Sequence, residues 1–341
     1  MMERILLIFL ILLLAPACLA QDEGRADDSA PGQIEEPQDQ EQNSDGILDR
    51  HKKLVDTQIQ RAAQWVDSFF SDPNFEAESA NTLVRLRPEL YYRNEQGTEG
   101  RFKARIKLRL PNMNRKTSLV IGSDDAVDSF GDTADDSAED AVIGLQFFGR
   151  ETRRWHTSLS LGVKFDEFAA YVGPRVRYMR PWGEQKSISF TQALRYQSNN
   201  YWNSISRLDF NFILGDRYFF RQTFDGRWRG EKSDQEGFRT RIASVFTQRL
   251  QNGAGLQYDF STIIHTRPDT RVDSYTLALR YRKRTRREWL YYEIVPQVSF
   301  DHEFDYTFNP GIRLRVEFFY GADTSAEFWK REHEDDDQFR W

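Results

Sequence analysis

The residues with most to offer chemically are cations set at every second position. Between residues 101 and 110, Arg101, Lys103, Arg105, Lys107 and Arg109 alternate with Phe102, Ala104, Ile106, Leu108 and Leu110. Successive side chains of an extended chain point to opposite faces, so this spacing puts the bases on one face and the apolar groups on the other. Arg85, Arg87, Glu89 and Arg93 alternate in the same way with Val84, Leu86, Pro88, Leu90 and Tyr92. The phase recurs at Arg175 and Arg177, Arg239 and Arg241, Arg280 and Arg282, and Arg313 and Arg315, with further bases at Arg195, Arg207, Arg217, Arg221, Arg227 and Arg249. Acids in the same phase are fewer: Glu89, Asp209, Asp225, Asp259, Glu293, Asp301 and Glu317. If these faces enclose a common interior, the crowded cations repel, and they need water, counter-ions, a polyanionic guest or an acidic plug. The chemistry expected is passage or binding of phosphorylated or carboxylated solutes. The competing expectation is a structural ladder in which the arginines pair with the acids and with an acidic N-terminal linker folded inside, since arginine also suits static ion-pair networks.

Covalent chemistry has less support. Some barrel hydrolases set a serine, a histidine and a polar orienting residue on strands, and two like-facing pairs fit that spacing: His156 with Ser158, and His265 with Ser261. Such pairs are common on any strand, and a barrel-embedded hydrolase ranks third among the readings. No nucleophile elbow, phosphate loop or zincin spacing is present, and no metal or cofactor is expected. Asp124-Asp125, Asp135-Asp136 and the cluster near Asp335 could hold calcium, but solvated, mutually repulsive segments explain them as well. Cys18 is the sole cysteine, so a chain cleaved after it has no disulfide, thiolate metal site or cysteine nucleophile.

The elements that must position these faces come next. Residues 1–20 open with Met1-Met2-Glu3-Arg4, continue with an apolar run from Ile5 to Ala15 and end in small residues, the layout of a secretory signal. Cleavage before Cys18, with lipid on its thiol, is the alternative; Ala15 stands where lipoprotein signals carry a large aliphatic residue. Beyond it no apolar run is long enough for a membrane helix. Residues 21–45 are acidic, rich in Gln and Pro and nearly free of aliphatics, so a disordered linker is expected. Residues 21 to 50 hold ten acids and two bases, and residues 323 to 341 hold seven acids and three bases, which leaves the segment between them basic in a chain of net charge −6. Across 46–72 the apolar residues Leu54, Val55, Ile59, Ala62, Ala63, Val66, Phe69 and Phe70 recur at helical spacing. This amphipathic helix is expected on the periplasmic rim; a plug, a membrane contact and a partner contact are the other positions weighed.

From 80 to 322 the period is two. Strands of soluble sandwiches run to about 5 to 6 residues, whereas the alternation from Tyr306 to Tyr320 is far longer and suits strands crossing a membrane. About 14 segments can be marked, with 12 or 16 admitted, starting near residues 81, 99, 116, 140, 155, 168, 186, 202, 216, 238, 254, 271, 289 and 306. Asn252-Gly253 is a hairpin signal. Tyr92, Tyr178, Trp182, Tyr196, Trp202, Trp228, Tyr281, Trp289, Tyr306 and Tyr320 fall near strand ends, where the two interfacial girdles of a spanning structure collect aromatics. The fold class expected is all-β: a transmembrane antiparallel barrel, followed by an acidic tail over 323–341.

Signal, alternating strands and a terminal aromatic in Phe339-Arg340-Trp341 resemble the outer-membrane β-barrel proteins of Gram-negative bacteria. The resemblance covers about residues 80 to 322 and reaches no narrower family. It implies outer-membrane lipid as surroundings and the barrel assembly machinery as a partner. The acidic, non-alternating stretch Glu334-Asp335-Asp336-Asp337 before Trp341 departs from the class pattern, in which the aromatic closes the last strand. Nucleic acid is not an expected partner, because the bases lie on alternate strand positions beneath an export signal. Oligomeric state is not legible. An anion-favouring channel or binding lumen leads, with a plugged structural or assembly protein as its rival.

Overall fold

The computed structural model describes residues 62–63, 65–67, 69–70, 83–109, 117–123, 141–149, 152, 154–165, 168–183, 185–199, 201–287 and 289–321. The signal over 1–20, the linker over 21–45, the Asp124-Asp125 and Asp135-Asp136 segments and the tail with Trp341 lie outside the described residues, as does the side chain of Arg109.

Fourteen strands follow one another: β1 Leu83–Arg93, β2 Gly97–Arg109, β3 Thr117–Ser123, β4 Ala141–Phe148, β5 Trp155–Lys164, β6 Ala169–Pro181, β7 Lys186–Gln197, β8 Trp202–Ile213, β9 Tyr218–Arg229, β10 Phe238–Arg249, β11 Ala254–His265, β12 Arg271–Arg284, β13 Leu290–Asp301 and β14 Asn309–Gly321. Each pairs antiparallel with its sequence neighbours, and β1 closes on β14 to complete a barrel. Closure gives every strand a hydrogen-bonded neighbour on both sides, the arrangement a sheet needs inside hydrocarbon. The proximal end carries the start of β1 and the end of β14; the other end is distal. At the proximal β10–β11 hairpin, Asn252 and Gly253 both adopt positive φ, 58° and 69°, as a tight primed turn requires.

The two faces differ as the alternation demands. Phe102, Leu314, Ile312, Val316 and Leu277 point outward and are exposed, while Arg85, Arg175, Arg177, Arg239, Arg282 and Arg315 are buried inside. Outward Trp155 packs on Tyr178, Tyr196 on Trp202, and Trp289 on Tyr320, each pair near a strand end. One expected inward base is misplaced: Arg217 sits exposed in the turn between β8 and β9, because β9 begins at Tyr218 instead of residue 216.

The inner wall is tightly fitted between β4 and β6. Tyr171 turns inward across Gly144 and Gly162; a Cβ at either would come within 2.4 or 2.5 Å of its hydroxyl oxygen. Arg195 from β7 stacks over the same ring, 4.7 Å from its centre.

Candidate functional site: the cationic lumen

The lumen is built from the alternating strands themselves. On the first hairpin the register sets Arg85 opposite Arg105 and Arg87 opposite Lys103. Like charges directly opposite are unfavourable, so these rows depend on anionic neighbours. The closing seam supplies some. Glu317 on β14 accepts from Arg87 at 2.8 Å and from Arg282 at 2.7 Å, and Arg85 approaches it to 3.3 Å. Arg282 reaches Glu293 at 3.5 Å, Arg315 donates to Glu293 at 3.2 Å and to Glu89 at 2.7 Å, and Arg280 lies 3.6 Å from Glu293. The result is one continuous network across β12, β13, β14 and β1, with three carboxylates holding five guanidinium groups.

A second cluster spans β7 to β11. Asp209 accepts from Arg207 at 2.9 Å and from the Thr223 hydroxyl at 2.7 Å, Arg227 donates to Asp225 at 2.9 Å, and Arg241 to Asp259 at 3.4 Å. Ser299 donates to Asp301 at 2.6 Å, so that acid serves the strand end instead of an arginine. Of the bases expected to face inward, Arg85, Arg87, Arg101, Lys103, Arg105, Lys107, Arg175, Arg177, Arg239, Arg241, Arg280, Arg282, Arg313 and Arg315 all lie on the inward side of their strands. They do not converge on one point. Arg85, Arg87, Arg280, Arg282 and Arg315 form the network just described, Arg175 and Arg177 are buried on the inward side of β6, and Arg101 at the distal end pairs with Glu99 at 2.7 Å.

The described part of the helix lies inside the barrel, not on its rim. We name this segment α1 (residues 62–70). Ala62, Ala63, Trp65, Val66, Phe69 and Phe70 are buried in a cluster with Ile213, Phe219 and Tyr291, and Phe319 packs against it. These wall residues point inward from the proximal ends of β8, β9, β13 and β14. The rings of Phe69 and Phe70 also fill the space beside Gly255 on β11, where a Cβ would sit 2.8 Å from Phe69. Arginines cap the aromatic surface: Arg249 lies 5.3 Å from the Trp65 ring centre, and Arg282 lies 5.8 Å from Phe69 and 4.6 Å from Tyr291. Asp67 accepts from Arg221 at 2.5 Å and is buried. A helix with an apolar face and one acid matched to a cationic wall is held inside for the same reasons a ligand would be. Asp67 is a lumen contact that strand alternation does not reveal, although an acid within a helical run of Ala63, Val66, Phe69 and Phe70 is itself a signal that the helix meets a cation.

The histidine pairs are not assembled for nucleophilic catalysis. His156 makes no hydrogen bond to Ser158, and His265 engages Asp273 through Nδ1 while its Nε2 finds no partner among the described residues and does not reach Ser261.

A closed barrel of fourteen long strands, apolar outside and polar inside, defines the class: a transmembrane β-barrel of the outer-membrane type. No protein-family model matches the chain, and no curated protein does. Among solved structures it is similar to outer-membrane expressed OmpT of Vibrio cholerae, with 10% identity, 71% of this chain and 98% of that chain covered and a TM-score of 0.45. It is similar to Pseudomonas aeruginosa OprD at 10% identity, covering 71% and 95%, TM-score 0.42. The porin KdgM in complex with disordered oligogalacturonate follows at 8% identity, 69% and 98%, TM-score 0.36.

Proposed function

We propose that the protein is an outer-membrane channel or binding lumen for anionic solutes, with its proximal end in the periplasm. The observation that supports this is the wall itself: inward bases on β1, β2, β6, β10, β12 and β14 outnumber the inward acids, and the network at the closing seam sets five guanidinium groups against three carboxylates. A wall of excess positive charge behind low-dielectric strands concentrates anions and repels cations. Arginine suits phosphate and carboxylate guests because its planar fork donates two parallel hydrogen bonds.

The test is single-channel recording of the full chain in a planar bilayer, with reversal potential under a salt gradient. Anion-selective openings, weakened in the Lys103→Gln/Arg105→Gln double variant, are the expected result. A folded barrel that never conducts, with or without α1 seated, overturns the reading.

The seating of α1 favours a second reading, a barrel plugged by its own N-terminal segment. Loosening the seat in the full chain with Trp65→Ala and Phe69→Ala separates the two. If the lumen is a channel closed by its helix, openings become more frequent; if the barrel is structural, the variant stays silent.

A further inference from the structure

The two ends of the outward face differ in charge. At the proximal end Tyr178, Arg180 and Trp182 follow one another on the outward side where β6 closes, and Lys186 and Ile188 open the outward side of β7. Strand pairing sets Arg180 opposite Ile188, and the Trp182 amide donates to the Lys186 carbonyl oxygen at 2.7 Å. Arg180 and Lys186 are therefore diagonal neighbours, about 7 to 8 Å apart along the sheet. Trp155 on β5 packs on Tyr178, and the Lys186 ammonium lies 5.9 Å from the Trp182 ring centre. Arg180, Lys186, Trp155 and Trp182 are all exposed. A third base, Arg154, is exposed in the adjoining turn, where its carbonyl oxygen accepts from the Met179 amide at 2.8 Å. Glu184 is the one acid in the turn that joins Trp182 to Lys186, and neither Arg180 nor Lys186 makes an ion pair among the described residues.

The distal girdle has no such bases. Tyr92, Tyr196, Trp202 and Trp228 have Leu90, Leu194, Ser204 and Gly226 as outward neighbours on their strands. Aromatic girdles mark the depth of lipid headgroups, and long basic side chains keep their stems on the wall while their charged ends reach that depth. Two like charges this close repel unless an anion stands between them. The anion that every phospholipid leaflet supplies at that depth is a phosphodiester, which an arginine fork can hold with two parallel hydrogen bonds. Exposed Val176 and Phe190 lie deeper on the same two strands and offer an apolar wall to its acyl chain. A zwitterionic headgroup would bring its own ammonium against these bases, so a headgroup with net negative charge fits better.

We infer that Arg180 and Lys186, framed by Trp155, Tyr178 and Trp182, form a binding site for the phosphate of an anionic phospholipid in the leaflet at the proximal end. The site lies outside the lumen, so the inference stands or falls apart from the proposed channel.

The experiment uses the full chain with Cys18→Ser, inserted in phosphatidylcholine bilayers, with a fluorophore on Ile188→Cys beside Arg180 or on Leu194→Cys at the distal girdle. Nitroxide-bearing phosphatidylglycerol and nitroxide-bearing phosphatidylcholine are the quenchers, and heat-modifiable gel mobility shows that each barrel is folded. At residue 188 phosphatidylglycerol should be enriched about tenfold over phosphatidylcholine, the scale expected for two bases at an anionic headgroup, and at residue 194 the two lipids should quench alike. Arg180→Gln/Lys186→Gln should abolish the enrichment at residue 188, whereas Arg180→Lys, which keeps the charge, should retain most of it. Excess inorganic phosphate should leave it in place, because the acyl chain holds the lipid in the site. Equal quenching by both lipids at residue 188, enrichment that survives the double variant, or displacement by inorganic phosphate would each overturn the inference.

Discussion

At the scale of single residues, the energetics of the barrel turn on a few carboxylates placed among many guanidinium groups. Glu317 is buried beneath Arg85, Arg87 and Arg282. Burying charge is costly in itself, and a pair that is broken leaves the surviving cation uncompensated. Glu317→Gln keeps the shape and removes the charge, so the barrel should lose about 3 kcal/mol in urea unfolding from phospholipid bilayers. Glu317→Asp, which keeps the charge on a shorter stem, should lose less. Gly162 is a steric counterpart: an added methyl would meet both the Ile143 carbonyl oxygen at 2.5 Å and the Tyr171 hydroxyl at 2.5 Å. Gly162→Ala should cost about 1 to 3 kcal/mol in the same assay, and Tyr171→Phe in the same background should recover part of it. That these glycines and Tyr171 meet was not legible in the sequence, because the three lie on three different strands and nothing local couples them.

At the scale of elements, the strands were legible to within a few residues, since inside and outside are written into every pair of neighbours along them. β5, β7, β8, β10, β11 and β12 begin at residues 155, 186, 202, 238, 254 and 271, where the alternation places them. The physical cost of breaking the pattern is direct: Leu314→Arg, near the middle of β14, puts a charge into hydrocarbon and should cost about 2 to 4 kcal/mol in bilayer unfolding, whereas Ser158→Arg, at an inward and only partly buried position of β5, should cost far less. The helix behaved differently. Its period was legible but its position was not, because an apolar face matches a rim, a membrane surface or a lumen equally well. The decision came from wall residues on β8 to β14, which are far from 62–70 in sequence, and from the Asp67–Arg221 pair. Asp67→Asn removes the charge partner of Arg221 while keeping the apolar packing. Limited proteolysis should then cut the 62–70 segment faster than in the parent, with the barrel itself still protected.

For the whole molecule, the balance of charge sets the expected behaviour. A basic wall lies between two acidic terminal segments of the chain. If anions are drawn in by this field, selectivity in bilayer recordings should fall as ionic strength rises, because the Debye length shrinks from about 10 Å at 0.1 M salt to about 3 Å at 1 M. Selectivity that persists unchanged at molar salt would point to specific contacts in a constriction instead.

The sequence by itself determined that this chain forms a membrane barrel and which faces of the strands are basic; it left the strand number between 12 and 16, and closure of β1 on β14 fixed it at fourteen. The barrel and its basic faces follow from a period of two sustained over strand lengths that soluble sheets rarely use, and that information is local. Only the tertiary structure decided which cation meets which acid. The closing seam joins Arg87 to Glu317 across 230 residues of chain, and Arg315 to Glu89 across 226. Alternation says that a side chain faces inward but carries nothing about its height or its neighbour across the lumen. Those are set by strand register and closure, and the same closure brings the seven strands from β8 to β14 into the surface that receives α1.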